Sequence, residues 1–235
     1  MPKIKGEFSV NFLVKDGAAF KKGERLLEIE GDVHDVLAVE RASLNLIMRM
    51  SGVATFTAKI VDMVRKYNVL VTPTRKCLWG LLDKKAVVLG GGGTHRLNMA
   101  DAILVKDNHA AIMKHNYEKI FEQISDSNVE TRFVEVEVNG INDALKLAEI
   151  FSKTLTEKKI RSVGVMLMDN MSAGEVSEAM KEIKKAGFYD DLLFEASGGV
   201  NESNIIEYAA TGVDIVSMGA LTNGVRSIDM SMKIV

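Results

Sequence analysis

Residues 133–170 read FVEVEVNGINDALKLAEIFSKTLTEKKIRSVGVMLMDN, and this stretch decides the fold. An apolar run interleaved with two glutamates (133–138) gives way to an amphipathic stretch (143–151), and a second apolar run follows at 163–167. A period of two that changes to a helical period and back again marks a strand–helix–strand unit. Working outward, short apolar runs recur at 69–71, 87–89, 103–105, 192–194 and 215–217, with further amphipathic stretches at 175–185 and 203–209. Seven strands alternating with helices imply a parallel sheet in an α/β protein. At about 165 residues the repeat is short for an eight-stranded barrel of roughly 250. An incomplete or seven-stranded α/β barrel is expected, with a doubly wound open sheet as the competing arrangement.

Toward the N-terminus the pattern differs. Residues 1–37 look β-rich, with mostly apolar runs at 10–14 and 26–29 separated by the turn signals Lys15-Asp16-Gly17 and Lys22-Gly23-Glu24. Two or three short strands cannot enclose a core, so they must pack on something else. From residue 39 to 67 the spacing of Leu44, Ile47, Met48, Met50, Ile60, Met63 and Val64 is helical. Ser51-Gly52 interrupts that run and is expected to divide it into two helices.

Composition excludes several classes. The chain has 235 residues, 47% hydrophobic and 26% charged, an ordinary globular mixture that argues against disorder. Thirty basic residues against 32 acidic leave a net charge of -2, which speaks against broad nucleic-acid binding. The lone Cys77 can form no internal disulfide and joins no zinc-type cluster. No apolar run approaches the roughly 18 residues of a membrane span. A soluble, cytoplasmic protein of a reducing compartment is expected.

In a parallel α/β fold, ligands gather at the C-terminal ends of the strands. The residues after successive apolar runs are Thr74-Arg75-Lys76, Gly90 to Arg96 (GGGGTHR), Lys106 to His109 (KDNH), Asp169-Asn170, Glu195 to Gly199 (EASGG) and Ser217-Met218-Gly219, while Glu135 and Glu137 lie within their run. Five basic side chains, Arg75, Lys76, His95, Arg96 and Lys106, therefore converge on one rim. Glu135 and Glu137 are two apart and share a face, and inward-facing carboxylates need a cation, a metal or a proton. The tetraglycine run lacks the Lys-Ser/Thr ending of a P-loop. Taken singly, each feature has an ordinary structural reading: Cys77 as an inert thiol, Trp79 as a packing anchor, His95 as a hydrogen-bonded loop histidine. Taken together at successive strand ends they suit a ligand with several negative charges, a phosphate, and Mg²⁺.

These motifs, with Glu40-Arg41, Leu44-Asn45 and Ser51 to Thr55 upstream and Ser217 to Leu221 downstream, resemble quinolinate phosphoribosyltransferase, the carboxylating nicotinate-nucleotide pyrophosphorylase family. The resemblance runs from about residue 10 to the C-terminus. It implies an N-terminal α/β sandwich ahead of an α/β barrel, with 1–40 a truncated remnant of the sandwich and 41–235 the barrel, entered through the helical region 41–67. It implies transfer of a phosphoribosyl group from phosphoribosyl pyrophosphate to quinolinate, giving nicotinate mononucleotide, pyrophosphate and CO₂, in a homodimer or higher homo-oligomer with Mg²⁺. By the same resemblance Arg75, His95, Arg96 and Lys106 bind the pyridine dicarboxylate, and Arg41 reaches the pocket from a partner subunit. Lys76, Glu137 and Asp169 serve the phosphoribosyl pyrophosphate, the two carboxylates holding the metal and Lys76 and Lys106 joining them in catalysis. Ser197, Gly198, Gly199 and Gly219 hold the phosphate.

One stretch departs from the family pattern. Where the family reads T-R-K-T-x-P-G-x-R, residues 74–82 read TRKCLWGLL, with Trp79 and Leu82 in place of Pro and Arg. This leaves two other readings: a phosphoribosyltransferase for another aromatic acid such as nicotinate, or a non-catalytic anion-binding relative. Glu137 and Asp169 count against the last, since a pure anion binder gains nothing from them.

Overall fold

The computed structural model describes residues 7–157 and 159–235. In chain order the elements are β1 (Ser9–Phe12), β2 (Leu27–Glu30), α1 (Val33–Val64), β3 (Leu70–Thr72), α2 (Leu81–Leu89), β4 (Ala102–Val105), α3 (Asp107–Ile112), α4 (Tyr117–Asp126), β5 (Phe133–Val138), α5 (Ile141–Thr156), β6 (Val163–Asp169), α6 (Ala173–Ala186), β7 (Leu193–Ser197), α7 (Ile205–Ala209), β8 (Ile215–Ser217) and α8 (Ala220–Asn223).

β1 and β2 form a separate two-stranded antiparallel sheet, Ser9 opposite Glu30. Gly17 and Gly23, both at positive φ, make the turns between them. The remaining six strands form one parallel sheet in the order β3-β8-β7-β6-β5-β4. Their outward side chains, among them Val134, Val136, Met166, Met168, Phe194 and Val216, are buried under Leu147 and Phe151 of α5, Val176 and Ile183 of α6, Ile205 of α7, and Val53, Ile60 and Val64 of α1. Each such large apolar side chain contributes roughly 1.5–3 kcal/mol on burial, which fixes the helices to the sheet.

The sheet is curled. On a flat sheet β3 and β5 would stand four spacings of about 4.8 Å apart. Gly93 pairs with the free edge of β3, its N–H donating to Val71 O at 2.8 Å. Two residues later, His95 reaches both Glu135 on β5 and Glu195 on β7. One residue further, the Arg96 guanidinium donates to Ala102 O on β4. Segment 93–96 thus lies in the gap between the two edge strands, and the sheet bends round it as an incomplete barrel with an inward face.

Two expectations are corrected. The barrel has six strands rather than seven, because the run at 87–89 is the last turn of α2. Asp83, Lys84 and Val87 are buried at helical spacing, and a short apolar run cannot distinguish strand from helix by itself. Ser51-Gly52 does not break the helix either. Gly52 lies inside the 32-residue α1, which already begins at Val33, capped by Asp32. A Cβ at Gly52 would collide with the backbone of Arg226, so this glycine serves close packing of the C-terminal segment against α1.

Candidate active site

The C-terminal ends of the strands bring most of the expected residues to one mouth. After β3, the segment carrying Arg75 and Lys76 is tied down on two sides. Thr222 Oγ1 donates to Lys76 O at 2.8 Å, and Trp79 N–H donates to Asp83 Oδ2 at 3.1 Å. Asp83 is fully buried and paired with Arg49 of α1, whose guanidinium also reaches Thr222 O. Arg49 and Asp83 were not foreseen. They touch nothing at the mouth directly, yet they set the course of the loop that does.

Arg75 and Arg96 come close enough to repel one another. Burial, then the neighbouring Arg75, holds the Arg96 guanidinium below its ordinary pKa, with Glu135 pulling the other way. Two guanidiniums whose charges reach one another at one rim are suited to a dianion. The Arg96 backbone is itself held from below, since Lys84 Nζ donates to Thr94 O at 3.0 Å and to Arg96 O. Burial lowers the pKa of Lys84. This lysine too escaped the sequence reading, hidden in a run taken to lead into a strand.

Glu137 and Asp169 end β5 and β6 and converge. Burial and then the charge of Asp169 push the Glu137 carboxyl up, and Lys106 offsets this only in part. Asp107 N–H reaches Glu137 Oε2 at 3.4 Å. Two carboxylates sharing a rim with one partial counter-charge fit a hard divalent cation such as Mg²⁺, which takes one or two carboxylates and leaves its other positions to substrate oxygens.

The glycine ends lie alongside. Gly198 and Gly199 adopt φ of +84° and +67°, which L side chains rarely enter, and a Cβ on Gly198 would meet Asn170 N at 2.6 Å. Successive backbone N–H groups in such a turn form an anion-binding concavity. Gly219, after β8, faces the Thr74–Lys76 segment, its Cβ position 3.4 Å from Thr74 Oγ1 and 3.7 Å from Lys76 Cδ. Ser197 is buried and accepts from Ser217 Oγ at 2.8 Å, which ties β7 to β8.

His95 is placed differently from the other basic residues. Its side chain is 7% exposed and turns into the barrel, with Nε2 3.3 Å from Glu135 Oε2 and 3.5 Å from Glu195 Oε1. Burial opposes charge there, but the two carboxylates outweigh it and raise its pKa to about 10. Burial, with the help of Glu195, raises Glu135 to about 7. Nδ1, however, accepts the Arg96 N–H at 2.7 Å and so carries no proton. With Nδ1 bare the imidazole is neutral and protonated on Nε2, so the extra proton that the buried cluster favours rests on the Glu135–Glu195 side. Arg41 stands apart: it is exposed on α1 and has no partner among the described residues.

Two shallow surface concavities, of about 300 and 480 Å³, lie elsewhere, at the opposite ends of the strands around Arg132 and around Gly164. They gather no comparable set of charges, and the strand C-terminal ends remain the candidate site.

The C-terminal domain of quinolinate phosphoribosyl transferase matches residues 53–233, and its N-terminal domain matches residues 3–51. The chain is 38% identical over 234 residues to a probable nicotinate-nucleotide pyrophosphorylase [carboxylating] of Methanothermobacter thermautotrophicus, covering 97% of this chain and 80% of that protein. It is 39% identical over 245 residues to the protein of the same name from Methanocaldococcus jannaschii, covering 97% and 81%. Among solved structures, NadC from Streptococcus pyogenes superposes with a TM-score of 0.81 at 32% identity, over 97% of this chain and 75% of that one.

Proposed function

The chain belongs to the quinolinate phosphoribosyl transferase family, whose reaction is a decarboxylating phosphoribosyl transfer in NAD biosynthesis, and we propose that this barrel mouth performs it with the residues gathered there. The chain is thus a pentosyltransferase acting on quinolinate and phosphoribosyl pyrophosphate. The observation that carries the assignment of residues is that the Thr74–Lys76 segment beside Gly219, the Asp107–Glu137 contact and the Gly198 turn against Asn170 all lie at the same ends of the strands.

Quinolinate carries two adjacent carboxylates, and two guanidinium forks can each take one. Lys106 adds a third positive group on the Glu137 side. The anionic sugar phosphate would lie along Gly198, Gly199 and Gly219, with Lys76 over it. Glu137 and Asp169 would hold Mg²⁺, which supplies neutralisation of charge on the departing pyrophosphate. Glycosyl transfer at the ribose passes through an oxocarbenium-like state, and nearby carboxylates favour that positive charge. Once the ring nitrogen is bonded to the ribose its positive charge stabilises the electron pair that departing CO₂ leaves on the adjacent ring carbon, which then takes up a proton. The protein's main task is to bring together two anions that repel, at the right distance and angle.

We read the assembly as a homodimer working in the cytoplasm. No described helix is long and apolar enough to cross a membrane. Val10, Phe12 and Leu13 of the β1–β2 sheet and Val33, Leu37 and Leu46 of α1 are exposed within one chain, and a second copy would cover them. Such packing would carry the otherwise isolated Arg41 to a neighbour's mouth. Sedimentation of an active monomer at micromolar concentration would contradict it.

The test of function is the purified chain with quinolinate, phosphoribosyl pyrophosphate and Mg²⁺, following nucleotide and CO₂ together. One CO₂ per nucleotide is expected, with quinolinate favoured over nicotinate by about two orders of magnitude in kcat/KM, because nicotinate leaves one guanidinium without its partner. Equal turnover of nicotinate without CO₂ would move the acceptor to a monocarboxylate. The exposed apolar side chains Leu78, Trp79 and Leu82 are where such a preference would arise.

A further inference from the structure

We propose that His95, Glu135 and Glu195 form a buried post that positions Arg96 for its ligand, and that His95 acts through this post rather than on the acceptor itself. The inference rests on the function proposed above for the acceptor. Its evidence is the geometry of segment 93–96, the piece of chain that fills the gap between β3 and β4.

The imidazole is directed away from the mouth. Nε2 faces Glu135 and Glu195, which are 0% and 1% exposed. Both Glu135 oxygens and Oε1 of Glu195 have no hydrogen-bond partner among the described residues, and the imidazole Nε2 meets them only at ion-pair distance. Two carboxylates sunk in a barrel are costly unless something positive or protonated meets them, so the side chain that meets them is held firmly. The Phe133 ring stands edge-on to the imidazole at 6.0 Å and limits its rotation.

The other end of the ring holds the backbone. Nδ1 accepts the N–H of Arg96 at 2.7 Å, and His95 sits at φ +51°. A residue with a side chain keeps such a φ only where its surroundings over-determine it. Here they do: the post fixes the side chain, and Lys84 fixes the carbonyls on either side. Arg96 leaves this anchored turn with its guanidinium already donating to Ala102 O at 3.3 Å. A floppy segment would let the Arg96 guanidinium leave this position.

A metal ion is the rival occupant, because three ligand atoms of His95, Glu135 and Glu195 lie within 4.8 Å of one another. The tautomer argues against it. With Nδ1 accepting a backbone N–H, the ring proton is on Nε2, and a metal there would need that lone pair. Metal-binding histidines instead donate their second N–H outward.

The experiment uses the full chain and four variants, Glu195→Gln, Glu195→Leu, His95→Gln and His95→Ala. Nitrogen-15 NMR of the imidazole at neutral pH should show Nε2 protonated and Nδ1 bare, a result that needs no turnover. In initial-rate kinetics Glu195→Leu and His95→Ala should raise KM for quinolinate by about tenfold or more and leave KM for phosphoribosyl pyrophosphate within about twofold. The Gln variants keep an acceptor or a donor in the right place and should recover most of that loss. A proton on Nδ1, a parallel rise in both KM values, a fall in kcat alone, or equal effects of Gln and Leu would overturn the post. So would uptake of one equivalent of Zn²⁺ by the natural chain and not by His95→Ala. Should Glu195→Leu fail to fold, the two His95 variants and the NMR signature decide. Absence of any quinolinate turnover in the natural chain would instead remove the parent function, and calorimetric titration of quinolinate into chain and variants would still report on the post.

Discussion

Removing the Asp83 carboxylate tests how the acceptor loop is held. Asp83 is fully buried, receives Arg49 Nε at 3.1 Å and Nη2 at 3.3 Å, and accepts Trp79 N–H at 3.1 Å. Asp83→Ala strands a guanidinium whose side chain is only 11% exposed. Breaking a buried pair from one side costs about 3–5 kcal/mol, and the lost bond to Trp79 adds about 1 kcal/mol. The sum is a large part of a whole-protein stability of roughly 5–15 kcal/mol. At about 2–4 °C per kcal/mol for a chain of this size, Tm should fall by about 8–24 °C. Urea and thermal unfolding of Asp83→Ala, Arg49→Met and the double variant Arg49→Met/Asp83→Leu measure it. The double variant should be far less damaged than the sum of the two single changes, because an apolar pair leaves no orphan charge. It should still raise KM for quinolinate, since Trp79 N–H has lost its acceptor and the Arg75 loop is free to move. A loss under about 1 kcal/mol in Asp83→Ala, or strict additivity in the cycle, would refute the reasoning.

Arg75→Ala and Arg96→Ala should each weaken quinolinate binding by more than about a hundredfold, and Lys in either place should rescue little, because an ammonium cannot fork onto a carboxylate; calorimetric titration reads both. Glu137→Gln and Asp169→Asn keep shape and lose charge, so each should lose the response of rate to added Mg²⁺, with Asp169→Asn the more severe. The buried cluster also sets a pH dependence of stability. Glu135 at about 7 lies above its unfolded value near 4.5. The folded chain therefore keeps a proton that the unfolded chain has released, and this stability is full below about 4.5 and is lost as pH rises through about 7. The total is on the order of a few kcal/mol, and Glu195→Gln should flatten the slope measured by urea unfolding between pH 4.5 and 7.

Where a strand is buried on one face by helices and lined on the other by the barrel interior, its sequence is plain. Phe133–Val138 alternates Val with Glu and is found over the bounds read from its pattern. The run at 87–89 misled because Ala86 and Val87 are buried against the barrel as part of a nine-residue helix, and the eye meets only the three apolar residues before the glycines. Gly52 misled for a related reason: the sequence shows a residue of low helix propensity, while its need is the close passage of residue 226, far away in the chain. Local pattern records local geometry. Long-range packing leaves a glycine or a buried lysine with no local mark of what it meets.

The same distinction separates the parts of the site. Three like-charge pairs stand at or below the mouth: Arg75 with Arg96, Glu137 with Asp169, and Glu135 with Glu195. The residues that end strands were legible because a charged side chain at the end of an apolar run needs explaining. Which pair is scaffold and which is receptor was not legible, because it depends on whether the chain supplies a counter-charge or a shared proton. Glu135 and Glu195 receive His95 from within, and the three close on one another out of water. Glu137 and Asp169 receive uncharged donors from Asp107 N–H and Asn170 Nδ2 and only the partial charge of Lys106, and Arg75 and Arg96 have only the pull of Glu135 as opposing charge. A like-charge pair answered from within costs the fold little and can serve as a support. One left unanswered costs stability until something arrives to offset it, so the unanswered pairs, one cationic and one anionic, are where a dianion and a divalent cation gain most by binding.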